Sequence, residues 1–553
     1  MNKQAAKKYS NADQSYTIHS MNDSRIQRST PILIMVILPI VLLAALLFLS
    51  ACFSRDQGAQ DIFEPYRIAV KDEYQDHFED LEMAPRYAID MTLGPDSKIV
   101  TGTETVHFYN TSSDPWPHVV FRLYPVLSHY GGNMTIHRVL VNGQPATYTY
   151  QANHTAMRID LMDVLLPNRR VEIELGWRLM IPTWPDTTTV YALFGKSQGM
   201  VSLPLFYPTL AVYQPEREFS TATQTDGWWI AEGNSRGDSA FNLASLFVVT
   251  TTLPANHVPV TSGTLITSTL IPATKAENNY ARHVWATGPS REFVLHTSPL
   301  FQSRTTEVYG TRITSYWLPG HEAGGTSAMN YMAAALRVYH DLYGPYPYRD
   351  MRVAPAPLGL RGMEYPQVNL LGPLLYDEYR QNLEILVAHE VAHQWWYQMV
   401  HNDPVHEPWL DEALAEFSVK LYYDALRGQT GGSKLQTNRW QAPLATMKQR
   451  EQDTMINQPV DSFASSKQYE TIIYAKGALF YENMYNLLGK ADFQHFLQTY
   501  VQNYRYQIVD TQSWLDTIGE LENPDLTELY QDWIEGKKSI QFFDEDDEEA
   551  VPE

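Results

Sequence analysis

The chain has 553 residues, 44% of them hydrophobic and 12% aromatic, enough apolar side chain for two or three cores and too much for a disordered protein. A formal net charge of -22 speaks against a nucleic-acid partner, because neutralising phosphates requires a basic face. The single cysteine, Cys52, excludes internal disulfides and a cysteine-built metal site.

In chain order, a polar leader with Lys3, Lys7, Lys8, Arg25 and Arg28 precedes an uncharged apolar run from Pro31 to Cys52. The run is long enough to span a bilayer. The basic flank comes first, so residues 1–52 are expected to anchor the chain with its leader in the cytoplasm and all that follows on the extracytoplasmic side of the cell membrane. Leu49-Ser50-Ala51-Cys52 resembles a bacterial lipoprotein signal, in which Cys52 becomes the acylated first residue; an uncleaved signal-anchor helix is the alternative. Residues 53–85 are polar and acid-rich and read as a tether.

From Arg86 the segments Thr103–Asn110, His118–Pro125, Arg170–Trp177 and Ser245–Pro254 alternate apolar and polar residues between turn residues, the period of half-buried strands. With "RHVWAT" and "REFVLHTS" they make residues 86–304 an all-β domain, a sandwich or an open barrel-like sheet. After "TEVYGTRITSYWLPG" the period becomes helical, beginning with Ser327–Gly344, which has a polar start and a glycine stop. Residues 305–541 are therefore expected to be mainly helical, giving an α+β multidomain chain. The acidic residues 542–553 read as a solvated, disordered tail.

The chemistry begins in "ILVAHEVAHQWWYQMV", Ile385 to Val400, where His389-Glu390-Val391-Ala392-His393 is an HExxH motif. On a helix the two histidines share a face, so both imidazoles reach one ion, and zinc suits imidazole nitrogen and carboxylate oxygen. Leu383, Leu386, Val387, Trp395, Trp396 and Met399 leave no solvated face, and two histidines and a glutamate in that setting need a cation to offset desolvation. After the turn "HNDPVHEP" a second helix, "PWLDEALAEFSVKLYYDALRG", places Glu412 on its second turn. Eighteen residues separate Glu412 from His393, and a helix–turn–helix of that length returns it to the histidines. Glu416, one turn later, is placed to orient a ligand histidine or to serve as a surface glutamate. His401 and His406 are read as loop residues.

HExxH followed by eighteen residues and the glutamate of "WLDEA" resembles the aminopeptidase N family of zinc metallopeptidases, the gluzincins, over about Arg86 to Lys538. The resemblance implies a β domain followed by a thermolysin-like catalytic domain, in a short version of the family. It also implies one zinc ion held by His389, His393 and Glu412, with Glu390 as general base. "RGMEYP" resembles the family's Gly-x-Met-Glu-Asn segment, which makes Gly362, Met363 and Glu364 substrate-binding, Glu364 holding the free amino group. Arg361 stands where the family has glycine, and Tyr365 where it has asparagine. "YAKGALFY" resembles the family's Tyr-Glu-Lys-Gly segment, and its tyrosine, Tyr474, is expected to stabilise the transition state.

The implied function is a zinc aminopeptidase acting on peptides with a free N-terminus. An endopeptidase, an epoxide hydrolase of the same fold and a non-catalytic, membrane-tethered binding ectodomain are the alternatives.

Overall fold

The strand Arg86–Leu93 shows why the β region folds as it does: Tyr87, Ile89, Met91 and Leu93 are buried while Ala88 and Asp90 face solvent. It lies inside an eight-stranded sheet whose order is Thr264–Ile271, Tyr280–Ala286, Leu246–Pro254, Arg86–Leu93, Ile99–Tyr109, Arg170–Met180, Asn133–Val141 and Gln144–Pro145. Two four-stranded sheets, one containing Met200–Pro204 and Val294–Ser298 and the other Trp116–Arg122 and Ala156–Leu165, share a core with it. Phe108 and Trp177 of the large sheet meet Leu203, Leu295, Phe121 and Ile159 there. This computed structural model describes residues 61–215, 224–233, 236–272, 279–428 and 431–536. The apolar run Pro31–Cys52, with the acylation site expected at Cys52, and the acidic tail 542–553 lie outside them.

A second, five-stranded sheet runs in the order Gln302–Val308, Thr311–Trp317, Asp350–Pro355, Val368–Leu371 and Gly362–Tyr365. Its first strand begins at Gln302, so the five-stranded sheet takes up the last residues of the region read as the all-β domain. Helix α1 (Glu322–Tyr343) joins Thr311–Trp317 to its parallel neighbour Asp350–Pro355. Beyond the sheet follow α2 (Leu383–Ala392), α3 (Trp409–Arg427) and α4 (Gly477–Tyr504). The two-residue period of a strand makes this sheet a shared wall. Met351, Val353 and Leu371 face the helical core with Trp395, Trp396 and Trp409. Ala354, Val368 and Leu370 face the β core.

The described part of the expected tether is built into the fold. Tyr66, Val70, Phe78 and Leu81 are buried in the helical core, on and beside the short 3-10 helices Arg67–Ala69 and Asp72–Leu81. Val70 bridges to Tyr348, and Lys71 Nζ donates to Tyr309 O at 2.7 Å. Four apolar residues spread among many acids leave the composition polar, yet they suffice to dock the segment.

Candidate metal centre and catalytic groups

The HExxH motif occupies the end of α2, with His389 in its last turn and His393 as its C-cap at φ -62°, ψ -13°. The backbone is still helical at the cap, so the four-residue spacing keeps both rings on one side. Past His393 the chain winds through turns, with Tyr397 at φ 99° and its N–H donating to Val400 O at 2.7 Å. Trp396 and Met399 are buried, and the indole N–H of Trp395 donates to Gly344 O while that of Trp396 donates to Ser418 Oγ.

Asp403 caps the connecting turn, accepting the N–H groups of Val405 at 2.9 Å and His406 at 3.1 Å. Pro408 is the N-cap of α3 and Gly428, at φ 80°, ends it. This return brings Glu412 Oε2 to 3.2 Å from His389 Nε2 and 3.3 Å from His393 Nε2, while the two nitrogens are 3.2 Å apart. Tetrahedral zinc with bonds of about 2.0–2.1 Å places neighbouring ligand atoms about 3.3–3.4 Å apart. The triangle therefore fits such an ion. His389, His393 and Glu412 are 7%, 1% and 8% exposed, so their donor atoms are largely withdrawn from bulk solvent. Burial opposes a charge on His389, yet Glu412 and Glu416 hold its pKa well above the usual histidine value.

Neighbours aim the rings. His393 Nδ1 donates to Trp396 O at 3.0 Å, which leaves Nε2 with its lone pair for a metal. His389 Nδ1 lies 3.4 Å from Glu416 Oε2. Glu416 is itself fixed by Arg439, whose Nε and Nη2 donate at 2.8 and 2.9 Å, and by the Trp440 indole N–H at 2.8 Å. Burial works against its charge, but Arg439 and His389 hold the carboxyl well below the usual carboxylate range.

Glu390 is buried against the edge strand Gly362–Tyr365. A Cβ on Gly362 would fall 1.9 Å from Glu390 Oε1, so only glycine leaves the carboxyl where it is. Burial pushes Glu390 up to about 8, with His389 pulling against it and Glu412 adding to it.

Tyr474 sits on the π-helical turn Glu470–Lys476, an irregularity frequent at functional sites. Its hydroxyl donates to Glu412 Oε1, and its ring stacks on His389 with centroids 5.8 Å apart. Burial and Glu412 raise the phenol well above its ordinary pKa, so it remains a donor. The helix can lie this close to α3 because Gly477 has no Cβ, which would meet that of Ala413 at 2.4 Å.

His389, His393, Glu412, Glu390, Glu416 and Tyr474 line one cavity of about 420 Å³, with Gly362, Met363 and Glu364 in its wall. Met363 also packs into the β core, and Tyr365 is buried. His401, stacked on Phe241, and His406, bonded to Asp403, stand outside the metal triangle. Sequence reasoning missed Asp238, which also lines the cavity and shares a hydrogen bond with Glu364. Burial raises both carboxyls well above their usual range; the charge of Glu364 adds to the shift at Asp238, while at Glu364 the Asp238 hydrogen bond pulls back and the charges of Glu390 and Glu412 add to it. "GDSAF" carries only turn composition, and nothing local announces that its aspartate reaches another domain's strand.

Residues 327–533 match the model of the Peptidase family M1 domain. Leucine aminopeptidase 2 of Yarrowia lipolytica is 25% identical over 185 residues, which cover 32% of this chain and 28% of that protein. Aminopeptidase M1-C of Oryza sativa subsp. japonica is 24% identical over 238 residues, covering 40% and 27%. The chain thus spans under a third of the length of the curated relatives it matches. An M1 zinc metallopeptidase from Deinococcus radiodurans has the same fold, with a TM-score of 0.61, 18% identity, and coverage of 83% of this chain and 96% of that one. An E323A mutant of it bound to a Tyr-ser-ala substrate scores 0.62 at 18% identity, covering 83% and 95%. The two-domain order, β-rich then helical, is common to both.

Proposed function

Because the chain belongs to the M1 family of zinc metallopeptidases, we propose that it is a zinc-dependent aminopeptidase that removes N-terminal residues from peptides outside the cytoplasmic membrane. One observation carries this reading: a metal-sized triangle of donors, a buried glutamate and a pair of hydrogen-bonded carboxyls share one cavity.

His389 Nε2, His393 Nε2 and Glu412 would hold the zinc ion. When bound, it supplies Lewis acidity, polarising the scissile carbonyl and making water nucleophilic near neutral pH. The remaining work falls to the chain's own groups. Glu390, buried in the cavity wall beside the donor triangle, takes a proton from the attacking water and delivers it to the departing amine. Tyr474, kept protonated, donates its O–H to the oxyanion that forms. Glu364 and Asp238 receive the substrate's ammonium, whose positive charge replaces the proton the two carboxyls otherwise share. A free N-terminus is then a requirement.

The extracytoplasmic location rests on the basic leader preceding the apolar run Pro31–Cys52, with Cys52 acylated or the run retained as an anchor. Protease added to intact cells should degrade the catalytic domain if it lies outside; full protection would refute that location. For the activity, a peptide and its N-acetylated form are compared on zinc-loaded protein. The free form is expected to be cleaved at least about 100-fold faster, since the acetyl group removes a charge-assisted contact and leaves two buried carboxyls unmatched. Equal cleavage would make the protein an endopeptidase.

A further inference from the structure

The strand Gly362–Tyr365 ends its sheet, paired on one side by Val368–Leu371. Gly362, Met363 and Glu364 line the cavity; Gln398 takes the Glu364 carbonyl at 2.7 Å, and the rest of that edge, at Gly362 above all, offers backbone groups to an extended peptide. The order of residues along it gives that peptide a direction. Glu364 meets the amine, and Gly362, two residues back, touches the general base Glu390. The bond to be cut therefore lies level with Gly362, and the leaving part of the substrate runs on toward Arg361.

Arg361 immediately precedes this strand, and its backbone is pinned. Its N–H donates to Leu358 O at 3.0 Å, and its carbonyl accepts from Gly372 at 2.9 Å. The side chain lies with its guanidinium carbon 5.1 Å from the centre of the Tyr191 ring and makes one carboxylate contact, Nη2 to Glu470 Oε1 at 3.2 Å. Both partners of that pair are 46% exposed, so it is a weak, replaceable bond. Glu470 begins the π-helical turn that carries Tyr474, so the pair reaches from one wall of the cavity to the other. Arg236 and Lys467 line the same cavity and add positive charge.

We infer that Arg361 is a specificity-determining residue that takes the C-terminal carboxylate of di- and tripeptides, exchanging Glu470 for the substrate. Three residue steps lead from Glu364 back to Arg361, about 10 Å at roughly 3.3 Å each, the length of an extended tripeptide. The guanidinium has donors to spare for a carboxylate. The enzyme is thereby a short-peptide aminopeptidase, and this specificity rests on the aminopeptidase reading above.

The test uses the full-length chain, purified in mild detergent and loaded with zinc, on Ala-Ala-Ala and on its C-terminal amide. Wild type is expected to show a kcat/KM at least about tenfold higher for the free acid, mostly through KM. Arg361→Gln should bring the ratio close to one, Arg361→Lys should keep part of it, and Glu470→Gln should lower KM for the acid. Equal kcat/KM for acid and amide in wild type overturns the role of Arg361 and leaves the aminopeptidase reading standing. Turnover of neither peptide by zinc-loaded protein overturns both. Should Arg361→Gln fail to fold, Arg361→Lys and Glu470→Gln carry the test, and an acid-to-amide ratio unchanged in both overturns the role of Arg361.

Discussion

Replacing Glu416 separates what this residue does for the metal from what it does for the fold. Its carboxylate accepts three hydrogen bonds, two from Arg439 and one from Trp440, and it faces His389 Nδ1 at 3.4 Å. Glu416→Gln keeps the volume and an acceptor for the Trp440 indole, but removes the negative charge that favours a proton on Nδ1 and a lone pair on Nε2. Loss of such a partner typically weakens metal affinity about 10–100-fold, or about 1.4–2.7 kcal/mol. Glu416→Ala should in addition destabilise the fold. Breaking a buried pair costs about 3–5 kcal/mol, but the Arg439 side chain is 41% exposed and water recovers part of it, so about 2–3 kcal/mol is expected. Competition for zinc against a chromophoric chelator reads the first quantity, and urea unfolding reads the second. If Glu416→Gln binds zinc as tightly as wild type, Glu416 serves only Arg439 and Trp440, and its role toward the metal is refuted.

Tyr474→Phe should lower kcat by about 10²–10³-fold with KM changed only slightly, because the lost donor acts on charge that develops in the transition state; steady-state kinetics showing the loss in KM instead would contradict the assignment. Glu390→Ala should bind zinc at wild-type stoichiometry and lose about 10²–10⁴-fold in kcat, and turnover near the wild-type rate would exclude Glu390 as the base. His296 is buried between Ser202 Oγ, 2.8 Å from Nδ1, and Pro355 O, 2.9 Å from Nε2, and burial lowers its pKa to about 4. The folded pKa lies below the unfolded value of about 6.5, so the native state binds fewer protons. The stabilisation is therefore full above pH 6.5 and lost as pH falls toward 4, by up to about 3 kcal/mol. Urea midpoints should fall more steeply over that window in wild type than in His296→Gln, and identical slopes would refute the contribution.

What could be read without coordinates was whatever is encoded over short distances. The i, i+4 spacing of His389 and His393 and the turn-and-return to Glu412 are local rules, and the structure brings the three together. Alternation likewise located strands such as Arg170–Met180 and Leu246–Pro254. Helix α1 starts at Glu322, before Ser327; the low helical propensity of Gly324 and Gly325 hid that first turn in the sequence, and close packing against Tyr376 and Trp317 is what requires them there. Asp238 was invisible for a different reason: its meaning comes from a contact with Glu364, 126 positions further along the chain. The π-helical turn under Tyr474 has no composition of its own. The buried side of residues 63–85 shows only once the helices that cover it are in place.

Elemental analysis decides whether His389, His393 and Glu412 hold a divalent ion. Full-length protein, purified without chelator, should contain about one zinc per chain. His393→Ala and Glu412→Ala should contain nearly none while keeping their far-ultraviolet circular dichroism. Absence of stoichiometric transition metal from the wild type, or full occupancy in the folded ligand variants, would contradict the account.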